Sequence, residues 1–134
     1  MNIFVDTSVW SLAFRRDAPP RNPEVAALAK ALESGAPVFT TGLVLQELLQ
    51  GFTGPKARER IVERFAALPL VISDRQDHIE AAELRNLCRR RGVQIGTIDA
   101  ILAQLCVRHG LVMLTTDRDF GRIARLSSLA VWKP

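Results

Sequence analysis

Short runs that are apolar throughout recur along this chain, each followed by a stretch with apolar residues at helical spacing. Ile3-Phe4-Val5 is the first, and further runs fall at 37–40, 70–72, 111–114 and 129–132. A strand with one face in water alternates apolar and polar residues; a strand covered on both faces does not. The runs therefore predict buried strands. Between them the pattern predicts helices over 7–14, 23–34, 43–50, 56–68, 77–91, 98–109 and 117–126. Asn22 and Pro23 open the second helix, Gly35, Gly92 and Gly110 close three of them, and Thr97 stands where a cap is expected. Strands alternating with helices through short turns imply a parallel sheet with helices on both faces. The expected fold is a three-layer α/β sandwich with a parallel, roughly five-stranded sheet, formed as one domain over 1–134.

The chain has 134 residues, 48% hydrophobic and 24% charged, enough for a sizeable core without disulfide staples. Cys88 and Cys106 lie in expected helices and read as core thiols rather than a disulfide or metal pair. No apolar run reaches membrane-spanning length, and the opening MNIFVDTSVW lacks the basic segment and apolar core of a signal peptide. A reducing cytoplasm is the expected location, with no membrane partner. The net charge is +4, and 15 of the 18 basic residues are arginine, whose fork suits phosphate. High-GC codon usage gives the same excess, so this permits a polyanionic partner without requiring one.

In a parallel α/β sheet the active crevice lies at the carboxyl ends of the strands. Asp6 follows the first apolar run directly, and Asp117 follows the fourth after two threonines. Either acid alone is equally readable as a helix cap. Glu47 interrupts the apolar run of LVLQELLQG, where its side chain is too short to snorkel far. Asp99 falls in a first helical turn, which favours an acid, above a face continued by Leu102, Ala103 and Cys106. Four converging carboxylates require either raised pKa values or a cation. Hard oxygen donors suit Mg²⁺ or Mn²⁺, and such an ion favours phosphodiester hydrolysis. With four of the 14 acids gathered there, ten remain elsewhere against 18 basic residues, a field that attracts a polyanion.

The segments VDTSVW, LQELLQG, GTIDAILAQLC and TTDRDF, in this order and spacing, resemble a PIN-domain ribonuclease, and more narrowly the toxin of a prokaryotic VapBC toxin–antitoxin pair. The resemblance spans essentially the whole chain. It implies that Asp6, Glu47, Asp99 and Asp117 form a Mg²⁺ site (Mn²⁺ also serving) for endonucleolytic RNA cleavage leaving a 3′-hydroxyl and a 5′-phosphate. Thr7 and Thr115 match supporting polar positions, and Asp119 matches a fifth acid that only some members have. The resemblance also implies a central first strand, a cognate antitoxin and a homodimer. Trp10, Leu12, Phe14 and Phe52 are the apolar residues available for such contacts, unless they belong to the core.

Two other function classes fit parts of the pattern. A phosphoacceptor receiver domain also carries acids at strand ends, but it opens with paired acids, whereas Thr7 follows Asp6 here. A non-catalytic RNA-binding module gains nothing from clustered negative charge. Ser8 and Ser11 lack a GxSxG elbow or a histidine partner, and His78 and His109 stand at no metal-ligand spacing. Arg89-Arg90-Arg91 suits a helix end, while Arg118, beside Asp117, is placed equally for substrate phosphate or for solvent.

Overall fold

The computed structural model describes residues 1–15 and 21–134; the polar, proline-rich segment RRDAPPRN over 15–22, which reads in the sequence as a loop, lies mostly outside them. Four parallel strands, β1 (Ile3–Val5), β2 (Val38–Phe39), β3 (Val112–Leu114) and β4 (Ala130–Val131), form a sheet in the order β2-β1-β3-β4. Among the described residues seven helices flank it: α1 (Thr7–Phe14), α2 (Pro23–Ser34), α3 (Gly42–Gly51), α4 (Pro55–Ala66), α5 (Arg75–Arg90), α6 (Thr97–His109) and α7 (Arg118–Leu126). β1 is central as expected, pairing Ile3 with Val38 on one side and with Val112 on the other. Its three residues are fully covered or nearly so, as an uninterrupted apolar run requires.

The run at 70–72 does not become a fifth strand. It makes one parallel bridge, Thr40 to Leu70, through Thr40 N–H to Pro69 O and Val71 N–H to Thr40 O. The ladder stops there for a physical reason: Pro69 offers no N–H, and Leu70 and Ile72 are 48% and 77% exposed, so this edge lies largely in water. The helix expected to begin at Asp77 starts two residues earlier. Asp74 and Asp77 cap it reciprocally, each carboxylate accepting the other's backbone N–H at 2.9 Å. Thr97 is not a cap: Gly96 holds that position and Thr97 is the first helical residue. Gly35 and Gly110 close α2 and α6 in left-handed conformation, with φ of 73° and 63°.

α6 is the best-buried helix, with every residue from Ala100 to Cys106 buried. It is fastened to α5 by polar contacts as well as by packing. Gln104 Nε2 donates to Glu80 Oε2 at 2.7 Å, and Arg85 Nε donates to the Ile95 carbonyl at 2.9 Å, just before the α6 N-terminus. Asp77, with no exposed side-chain surface, is held by Arg108 at 2.7 and 2.8 Å. Burial acts to raise the Asp77 carboxyl, but the Asp74 backbone N–H and the Arg108 guanidinium outweigh it and hold the group below its usual range. Arg108 also donates to the Ile72 carbonyl at 3.2 Å. Cys88 and Cys106 are free and buried, and burial pushes both thiols up. Trp10 is 1% exposed and packs against Phe14 and Phe65, with centroids at 5.8 and 4.9 Å; it belongs to the core and offers no contact surface. Leu12, Phe14 and Phe52 are half-buried. Among the described residues no helix is long and apolar enough to cross a membrane.

Candidate active site

Since β1 and β3 are neighbours, the residues leaving their carboxyl ends emerge side by side. Asp6 N–H donates to Leu114 O at 3.0 Å, carrying the ladder one residue past β1. Both strand-end acids are indeed helix caps: Asp6 caps α1 and Asp117 caps α7, where Asp117 Oδ1 accepts the Asp119 N–H at 2.9 Å. Capping and a role in the site are compatible, because a cap engages one oxygen and leaves the other.

Asp99 stands in the first turn of α6 and meets the same crevice. Oxygens of Asp99, Asp117 and Asp119 lie within 4.8 Å of one another, close enough to share one metal ion. Asp6 and Glu47 lie outside that tight group yet close enough for their charges to act on Asp99. Burial first, then the charges of Asp117, Asp6, Asp119 and Glu47, push the Asp99 carboxyl up to about 6. The N-terminal ends of α1, α6 and α7 all meet here, and their partial positive charge opposes this repulsion only in part.

Each acid is held by a separate device. Glu47, half-buried on α3, accepts a hydrogen bond from Thr7 Oγ1 at 2.9 Å. Asp6, 6% exposed, accepts from Thr115 Oγ1 at 2.8 Å, and Thr115 Oγ1 in turn accepts the Asp117 N–H at 2.9 Å. Asp119 Oδ1 faces Arg122 Nη1 at 3.2 Å, a largely exposed pair that counts for little in stability. Arg118 opens α7 beside Asp117 with its side chain exposed. Ser8, weighed in the sequence only as a hydrolase nucleophile, belongs to this network instead: its Oγ donates to Asp6 Oδ2 at 2.8 Å and accepts the Thr116 N–H at 3.0 Å. Its signal was a second hydroxyl residue directly after Asp6-Thr7, in the first turn of the helix that Asp6 caps.

The chain matches the PIN domain family over residues 3–126. It is 30% identical over 129 residues to ribonuclease VapC11 of Mycobacterium tuberculosis, with 95% of each chain covered. It superposes on a chain of VapBC2 from Rickettsia felis, solved bound to a DNA fragment from their promoter, with TM-score 0.76, 18% identity and 98% of both chains covered. It also superposes on a chain of VapBC-5 from Mycobacterium tuberculosis, a member of the VapBC family of toxin-antitoxin systems, with TM-score 0.68, 20% identity and 99% and 98% covered. The two solved structures share the fold. The family match spans both strand-end acids, Glu47 and Asp99, and the chain belongs to the PIN domain family.

Proposed function

We propose that this protein is a divalent-metal-dependent endoribonuclease, acting as the toxin of a type II toxin–antitoxin pair. The observation that carries the reading is the convergence of Asp99, Asp117 and Asp119 within 4.8 Å, with Asp6 and Glu47 close by and the Asp99 carboxyl pushed up by burial and by the charges of these acids. Its similarity to ribonuclease VapC11 supports RNA as the substrate. The fold shared with VapBC chains supports a cognate antitoxin as partner.

The residues fit a hard divalent cation: all the donors are carboxylate oxygens, and no basic side chain among the described residues neutralises Asp99. Asp6, Asp99 and Asp117 would hold Mg²⁺ or Mn²⁺, with Asp119 as an additional donor. Bound there, the ion would polarise a phosphate oxygen and lower the pKa of a coordinated water. Glu47, oriented by Thr7, accepts the proton of the attacking water. Attack at phosphorus breaks the bond to the 3′-oxygen, which leaves as a 3′-hydroxyl after taking a proton from solvent, and the 5′-phosphate remains on the other product. Arg118, exposed at the start of α7, binds a flanking phosphate.

We also propose a homodimer in the cytoplasm, with Leu12, Phe14 and Phe52 as half-buried apolar residues available to partners; sedimentation showing a concentration-independent monomer would count against it. The test of the enzymatic reading is cleavage of a structured RNA with Mg²⁺ and with EDTA, by wild type and Asp6→Asn. Cleavage should need the metal and fall by at least a hundredfold in Asp6→Asn, with the fold intact by circular dichroism. Cleavage that persists in EDTA removes the metal from the mechanism, and an Asp6→Asn protein of wild-type rate removes Asp6.

A further inference from the structure

The hydrogen bonds around Asp6 are one-sided. Oδ2 accepts the Ser8 hydroxyl at 2.8 Å, the Thr115 hydroxyl at 2.8 Å and, more weakly, the Ser8 N–H at 3.4 Å. No hydrogen bond from the described residues reaches Oδ1. A hydroxyl has one proton to give. Ser8 and Thr115 each spend theirs on Asp6, so their mutual 3.3 Å approach is a contact between two acceptors. Each hydroxyl is also fixed from behind by a backbone donor of the turn between β3 and α7, Thr116 N–H for Ser8 and Asp117 N–H for Thr115. The carboxylate is thus clamped with one oxygen committed to the protein and the other left over.

We infer that Ser8 is a positioning residue that, with Thr115, restricts Asp6 to offering a single oxygen, Oδ1, to a bound cation, and that this restriction selects a small octahedral ion such as Mn²⁺ or Mg²⁺ over Ca²⁺. The inference rests on the metal-dependent reading above. Its physical basis is the difference between the ions. Ca²⁺ takes six to eight oxygens in flexible arrangements and accepts bidentate carboxylates, whereas Mg²⁺ demands near-ideal octahedral geometry at shorter distances. An Asp6 free to rotate and present both oxygens suits the larger ion; one locked by two hydroxyls suits the smaller. Residues that orient a metal ligand commonly change metal affinity ten- to a hundredfold when removed.

The experiment is calorimetric titration of the purified protein with Mn²⁺ and, separately, with Ca²⁺, for wild type and Ser8→Ala. Wild type should bind Mn²⁺ at least tenfold more tightly than Ca²⁺. Ser8→Ala should lose about tenfold in Mn²⁺ affinity and far less in Ca²⁺ affinity, so that the ratio closes. A general loss of structure would lower both affinities together and leave the ratio unchanged. If wild type binds neither ion, the metal-dependent reading fails, and this inference with it. If wild type binds both ions equally, or Ser8→Ala keeps the wild-type ratio, the role of Ser8 is overturned while the metal site stands. Should Ser8→Ala not fold, Ser8→Cys, similar in shape but a weak donor, takes its place with the same expected and overturning ratios.

Discussion

Thr7 Oγ1 donates to Glu47 Oε1 at 2.9 Å, joining the first turn of α1 to the middle of α3 across forty residues of sequence. The bond fixes which way the half-buried Glu47 points. It also occupies one lone pair of the carboxylate while leaving the other oxygen able to take a proton. We predict that Thr7→Val lowers kcat for RNA cleavage about tenfold with KM unchanged, and that Glu47→Gln lowers it a hundredfold or more, the range of a lost general base. Steady-state kinetics on a fluorogenic RNA separates these. A Thr7→Val enzyme with wild-type kcat would show that Glu47 needs no such support.

The raised Asp99 carboxyl carries a sign that can be checked in metal-free protein. A carboxylic acid whose folded pKa exceeds its unfolded value binds more protons folded than unfolded. Its contribution to stability is complete below the unfolded pKa of about 3.8 and is lost as pH rises through about 6. Asp99→Asn cannot ionise, so its melting temperature should exceed that of wild type by an amount that grows between pH 4 and pH 6.5. At neutral pH we expect about 1 kcal/mol, screening of a half-exposed group allowed for, or a few degrees. A difference that stays flat across this range would mean that neither burial nor the acidic neighbours raise the Asp99 carboxyl.

Asp77 and Arg108 form a pair of the opposite kind, a wholly buried carboxylate whose partner reaches it from the last turn of α6. Arg108→Met leaves that charge without its cation and should cost about 3 kcal/mol. Urea unfolding at neutral pH measures this. The deficit should shrink as pH falls, because burial no longer opposed by Arg108 favours the protonated carboxyl in the variant while the wild-type pair loses its advantage. A loss under 0.5 kcal/mol would show the pair to be dispensable.

An antitoxin that reaches the site should compete with the metal, because both answer the same unbalanced charge. Phe14, capped by the Arg60 guanidinium at 5.6 Å and edge-on to Phe52, offers a half-buried apolar path on the helical face. We predict that Phe52→Ala weakens antitoxin binding at least tenfold. Raising Mg²⁺ should weaken inhibition by a basic antitoxin segment. Inhibition indifferent to both changes would place the antitoxin elsewhere.

What could be read from the residues alone was whatever depends on local pattern. Uninterrupted apolar runs marked β1, β2, β3 and β4, and Gly35 and Gly110 marked helix ends, because burial on two faces and a left-handed cap each leave a mark in one short segment. The run at 70–72 has the same composition but sits at an uncovered edge beyond Pro69, and coverage is a property of the tertiary fold. Trp10 likewise could have faced in or out until α4 supplied Phe65 against it. The acids proposed for the site stood out because charge beside apolar runs is costly. Ser8 did not stand out, since a serine in a first helical turn is ordinary. Only its distance to Asp6 and Thr116 distinguishes it.

The central place of β1 has a consequence in time. Ile3 and Val5 are made first, yet β3, their neighbour on one side, begins at Val112, and Asp6 receives the Thr115 hydroxyl only from beyond it. During synthesis the first acid must wait, unpaired on that flank, while more than a hundred residues follow. Asp99, Asp117 and Asp119 all arrive in the last third of the chain, and pairings this distant in sequence form late. The carboxylates at 6, 99, 117 and 119 can therefore come together only after residues 97–119 have emerged and docked.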